Sequence, residues 1–157
     1  MRTLTIVCLF ALLTPFWTGC ASTTRAMGLC AATTQHVRLP DQTKPNEDDS
    51  KARIYVVRPY NYVGCAVTFR ILENRNYIGE IGSGGYLCWE TNPGKATLTL
   101  DATSAIGGNT WNTDLILRTG TVYYLQAKMG FTDLTLKVLD PEEGKRLLKM
   151  CLPPEKK

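Results

Sequence analysis

A chain of 157 residues and 17.4 kDa is one domain's worth of protein. With 44% apolar and 20% charged residues, it is neither disordered nor collagen-like, and a net charge of +4 is too mild to indicate nucleic acid. A single histidine, His36, excludes most zinc, haem and Ser-His-Asp chemistry at the outset.

The N-terminus reads as an address. After Met1-Arg2-Thr3 comes an apolar run from Leu4 to Phe16, shorter than the roughly 20 residues a membrane-spanning helix needs. That length suits the apolar core of a secretory signal. The following Trp17-Thr18-Gly19-Cys20 resembles a bacterial lipoprotein processing site, in which a small residue precedes a cysteine whose thiol is alkylated with diacylglycerol. The resemblance implies cleavage after Gly19 and lipidation at Cys20. With Ala21 rather than Asp next, it also implies an outer-membrane destination facing the periplasm. Acyl chains contribute about 0.8 kcal/mol per buried methylene, so several of them anchor a protein stably.

The expected organisation is a signal peptide over 1–19, the lipidated cysteine with a flexible tether over 20–51, a β domain over 52–151 and a tail over 152–157. The tether is rich in Thr, Ser, Asn, Pro and charge, without apolar periodicity. Its Glu47-Asp48-Asp49 run is a solvated cluster rather than a cation site.

From Ala52 the pattern turns to period 2. Strands are predicted over 53–58, 66–72, 77–81, 86–90, 95–101, 114–118, 121–128 and 133–139. Turns are expected at Glu73–Asn76, Ser83-Gly84-Gly85, Asn92-Pro93-Gly94 and Thr119-Gly120. Seven or eight short strands describe an all-β, antiparallel sandwich or barrel. One helix is predicted over 141–150, capped by Asp140, with Leu147, Leu148 and Cys151 packing on the sheet.

Cys8 leaves with the signal and Cys20 takes the lipid. That leaves Cys30, Cys65, Cys88 and Cys151, an even number for an oxidising compartment. Three pairings are open. Cys65–Cys88 with Cys30–Cys151 is preferred, because Cys65 and Cys88 lie on neighbouring elements. The alternative, a redox-active thiol, lacks a C-x-x-C spacing.

Few residues invite chemistry. Gly82–Gly85 is not followed by the Lys-Ser/Thr of a phosphate loop, and reads as a turn. Glu142 and Glu143 are adjacent on a helix and do not face each other. Two segments remain as candidate binding loops: Arg58, Tyr60 and Tyr62 after the first strand, and Asn109 and Trp111 in a Gly-rich stretch. Aromatics beside Asn and Arg can stack on a sugar or a protein surface while bonding at their edges. The competing reading folds these rings back onto the sheet edges.

The run Ala52–Pro59, the hairpin Asn74–Gly79, Gly85-Tyr86, Asn92–Leu98 and Gly120–Tyr124 together resemble a family of bacterial lipoproteins of unknown function (domain family 2846). That family is related to PEGA-type and transthyretin-like sandwiches. The resemblance spans residues 52–150 and implies a prealbumin-like β-sandwich at the cell envelope, with no catalytic residues to carry over. The expected function is a non-catalytic binding module held to the membrane by its lipid, with an envelope protein or glycan as partner. No cofactor, metal or nucleic acid is expected. An accessory lipoprotein of a secretion or assembly machine and an envelope enzyme are the alternatives.

Overall fold

The computed structural model describes residues 49–102, 109–131 and 133–153, together with the backbone of 35–36. The lipoprotein-type segment, Cys20, Cys30 and most of the expected tether therefore lie outside the described residues.

The period-2 runs become strands. In chain order they are β1 (Gln35–His36), β2 (Ala52–Arg58), β3 (Phe69–Glu73), β4 (Asn76–Ile81), β5 (Gly85–Thr91), β6 (Gly94–Asp101), β7 (Thr110–Leu117), β8 (Val122–Met129) and β9 (Leu134–Leu139). A single described helix follows, α1 (Pro141–Leu148). The strands form two sheets, ordered β1-β4-β3-β6-β7 and β5-β2-β8-β9. The chain is an all-β sandwich with a C-terminal helix.

Three features depart from expectation. First, β2 and β8 pair in parallel, from Arg53 opposite Val122 to Val57 opposite Gln126, so the sandwich is not wholly antiparallel. Second, two residues of the expected tether form a strand: Gln35 pairs with Glu80 and His36 with Gly79. Third, β7 starts at Thr110, so Trp111 and Asn112 sit on a strand rather than in a loop, opposite Leu100 and Thr99 of β6.

The inner faces share one core of fully buried Ile54, Val56, Phe69, Ile71, Leu98, Leu100 and Leu125 with their neighbours. The outer face of the four-stranded sheet is covered as well. There Tyr55, Val57, Tyr86, Cys88 and Tyr124 pack with Leu147 of α1. This explains why all seven residues of β2 are buried. Tyr55 stacks on Tyr124 at a centroid distance of 5.2 Å. At the edge of this layer, Arg53 reaches Glu90 through Nε (3.1 Å) and Nη2 (2.7 Å).

The helix forms as its cap residue predicts. The Asp140 carboxylate accepts the backbone N–H groups of Glu142 and Glu143 at 3.1 and 3.0 Å. Glu143 turns away from the cap to pair with Arg146 at 2.7 Å. The helix ends at Leu148, two residues short of the expected boundary. Gly144 is what lets it approach the sheet: a Cβ there would overlap the Tyr124 ring.

The cysteine pairing differs from the preferred one. Cys88 and Cys151 are free thiols, whereas Cys65 is disulfide-bonded. Cys65–Cys88 and Cys30–Cys151 are therefore both excluded, and the partner of Cys65 is a cysteine outside the described residues. Cys88 sits at the centre of β5 facing α1, away from the loop that carries Cys65.

Candidate functional site: the aromatic end of the sandwich

The register brings the two candidate binding segments to the same end of the molecule. Strands β2, β4, β6 and β8 finish there, at Arg58, Ile81, Asp101 and Met129. Strands β3, β5, β7 and β9 start there. A bond from Arg58 at the end of β2 to the Ile81 carbonyl at the end of β4 joins the two sheets at this end. The described connections that meet here are 59–68 and 82–84, with Ala102, Asn109, Gly130, Phe131 and Asp133 beside the strand ends.

Arg58 is the pivot. The sequence offers it as a recognition residue, but it is only 4% exposed. Its Nη1 donates to the carbonyls of Val67 (2.6 Å) and Ile81 (3.0 Å), and its Nη2 to that of Gly64 (2.7 Å). Its guanidinium lies 3.6 Å above the Phe69 ring. Burial pulls its pKa down to about 10. Arg58 is thus a strut that shapes the 59–68 loop, with both Nη atoms donating to backbone carbonyls.

The loop is fixed further by its own polar side chains. The Asn61 N–H donates to Ser83 Oγ at 3.2 Å, and the Val63 N–H donates to Asn61 Oδ1 at 3.3 Å. Gly64, at φ +74°, lies close against Met129, where a side chain would collide with the Met129 sulfur. Tyr60 and Tyr62 project from this braced loop, 55% and 82% exposed.

Trp111 stands at the start of β7 on the inner side of its sheet. It is 45% exposed because the core ends beside it. Asn109 is exposed next to it, and its carbonyl accepts the Ala102 N–H at 2.9 Å. A third contributor was not recognised from sequence: Phe131, in the β8–β9 turn, is 92% exposed. That turn is closed by a bond from the Gly130 N–H to the Asp133 carbonyl at 2.8 Å. The readable signal was Gly130-Phe131 between two strands, an aromatic at the tip of a hairpin. A groove of about 180 Å³ runs between the 59–63 loop and the end of β8, lined by Pro59, Tyr60, Asn61, Gln126 and Lys128.

The two expectations for these aromatics divide. Their backbones are tied to the strand ends, yet the rings of Tyr60, Tyr62, Trp111 and Phe131 remain open to solvent. Such an end offers flat apolar faces with polar tips.

The thiols have a different character. Burial pushes Cys88 up to about 12, against a hydrogen bond with Tyr55 that pulls the other way. Burial raises Cys151 to about 11. Both therefore stay protonated at neutral pH and are poor nucleophiles. Among the described residues, no group of three or more His, Cys, Asp or Glu side chains could hold a metal ion, and no helix is long and apolar enough to cross a membrane. Comparison with known proteins finds no matching family, no matching curated protein and no matching solved structure.

Proposed function

We propose that this chain is a lipid-anchored lipoprotein of a bacterial envelope, in the outer membrane and facing the periplasm, whose sandwich is a non-catalytic binding module. Its working end is the aromatic one. The anchor rests on the apolar run before Gly19-Cys20. The observation that carries the binding role is the set of four exposed aromatics, Tyr60, Tyr62, Trp111 and Phe131, on braced backbone at a single end.

Rigid aromatic anchors bind with little loss of side-chain entropy, and a loop already fixed by Arg58 has little left to order. Palmitate incorporation into the wild type but not into Cys20→Ala tests the anchor. Photo-crosslinkers placed at positions 62 and 131, with position 119 at the other end as control, test the site. Products concentrated at 62 and 131 support it. Equal products at all three, or products at 119 alone, refute it.

A further inference from the structure

We infer that the aromatic end of the sandwich is seated on the membrane, with Tyr60, Tyr62, Trp111 and Phe131 at the boundary between headgroups and acyl chains. This deepens the proposed function by naming what that end touches, and it rests on the Cys20 anchor.

The first support is chemical. Rings with an apolar body and a polar tip, such as Tyr and Trp, partition to the bilayer–water boundary. Phe131, almost wholly exposed at a hairpin tip, has nothing to gain from water. The opposite end is built differently. Its turns carry Asn74-Arg75, Asn92-Pro93 and Arg118-Thr119-Gly120, with no large apolar ring among them. Of the other exposed large apolar side chains, Tyr77, Ile116 and Val138 stand one residue in from the strand termini of that end, Tyr77 being the one ring among them, and Met150 and Leu152 follow α1.

The second support is where the anchor-bearing segment joins the fold. β1 is antiparallel to β4, with Gln35 opposite Glu80 and His36 opposite Gly79. β4 runs towards the aromatic end and finishes at Ile81, one residue beyond Glu80. β1 therefore begins, at Gln35, on the side of the sheet nearer the aromatic end, and Cys20 lies before it in sequence.

The third support is the disulfide at Cys65, which lies in the 59–68 loop of the same end. With Cys88 and Cys151 free, its partner is Cys8, Cys20 or Cys30. If Cys8 is removed with the signal and Cys20 carries lipid, Cys30 remains. That bond would leave ten residues between the lipid and the aromatic end, a reach of at most about 36 Å fully extended. The eight-residue strand β6 makes the sandwich about 26 Å tall. Seating the aromatic end leaves this segment slack. Seating the polar end would require it to run back along the full height of the domain. A tethered contact is also intramolecular, so even a weak ring–lipid interaction is populated.

The test uses the mature full-length protein in vesicles of phosphatidylethanolamine and phosphatidylglycerol carrying doxyl-labelled lipid. Trp111 reports the aromatic end and buried Trp89 supplies a constant background. On a Trp111→Phe background, Phe131→Trp reports the same end and Thr119→Trp the opposite one. The expected result is several-fold stronger quenching of Trp111 and of Phe131→Trp than of Thr119→Trp. Intact mass of the same sample reads the anchor separately. A lipidated protein with equal quenching at both ends, or stronger quenching at 119, overturns the membrane-seated end and gives its surface to a protein or glycan partner. A mass without lipid overturns the anchor, and the seating falls with it.

Discussion

Replacing Arg58 with Met keeps most of the side chain's volume and removes its charge, which isolates what the buried guanidinium contributes. Three hydrogen bonds to carbonyls are lost, those to Gly64, Val67 and Ile81. Bonds from a charged donor contribute about 1.5–3 kcal/mol each, which sums to roughly 4–9 kcal/mol. Against this stands the cost of burying the charge. The fall of its pKa to about 10 corresponds to about 3 kcal/mol at neutral pH. A net destabilisation of about 3 kcal/mol is expected, concentrated at the Ile81 carbonyl, whose bond is buried while the other two are partly open to water. Urea denaturation at pH 7 measures it. Because the loss frees the 59–68 loop, chymotrypsin should also cut faster after Tyr60 and Tyr62 under native conditions. A variant that is equally or more stable, with unchanged cleavage, would refute the strut: burial of the charge would then cost as much as its bonds return.

Gly144→Ala should destabilise by about 1–3 kcal/mol, because the new methyl meets the Tyr124 ring; thermal melts check this against the gain of about 1 kcal/mol usual for Gly to Ala in an open helix. Stability should fall as pH rises from 9 towards 12, since the unfolded chain releases the Cys88 proton near 9 while the fold holds it until about 12. Cys88→Ala should flatten that slope in denaturation midpoints taken across the range, and an unchanged slope would show that other groups cause it. Glu73 accepts Trp89 Nε1–H at 3.0 Å and Thr91 Oγ1–H at 2.7 Å. Glu73→Ala should therefore cost about 1–3 kcal/mol and alter Trp89 emission, whereas Glu73→Gln keeps an acceptor for one of the two bonds and should cost less.

How far the sequence carries the fold shows best at particular strands. β6 is legible because Ala96, Leu98 and Leu100 alternate with Lys95, Thr97 and Thr99, and only one of its faces is buried. β2 is legible as a strand. That both its faces are covered, Ile54 and Val56 by the inner core and Tyr55 and Val57 by the α1 layer, only the structure shows. The start of β7 was hidden. Thr110-Trp111-Asn112-Thr113 shows no apolar alternation, since its outward positions are polar and its inward tryptophan lies where the core runs out. Pairing with β6 creates that strand, and pairing partners are not local information. The same holds for β1, two polar residues ordered only by the edge of β4.

The candidate site divides along the same line. Tyr60, Tyr62 and Trp111 were readable as aromatics near turns, because an exposed ring in a polar segment stands out. Their convergence with Phe131 on a single end required the register of both sheets. Arg58 reads in sequence as a recognition residue because a charged residue beside a proline looks solvent-facing. Only three carbonyls and an aromatic ring assembled from distant positions make its burial tolerable.

By itself, the sequence determined the fold class, the capped terminal helix and most turns, because alternation, capping and turn preference act over a few residues. Tertiary structure alone decided the parallel pairing of β2 with β8, which thiols stay free, the burial of Arg58 and the gathering of four aromatics at one end. Each of these depends on which distant segments become neighbours. That choice is settled by closing a shared core, not by any local preference of the chain.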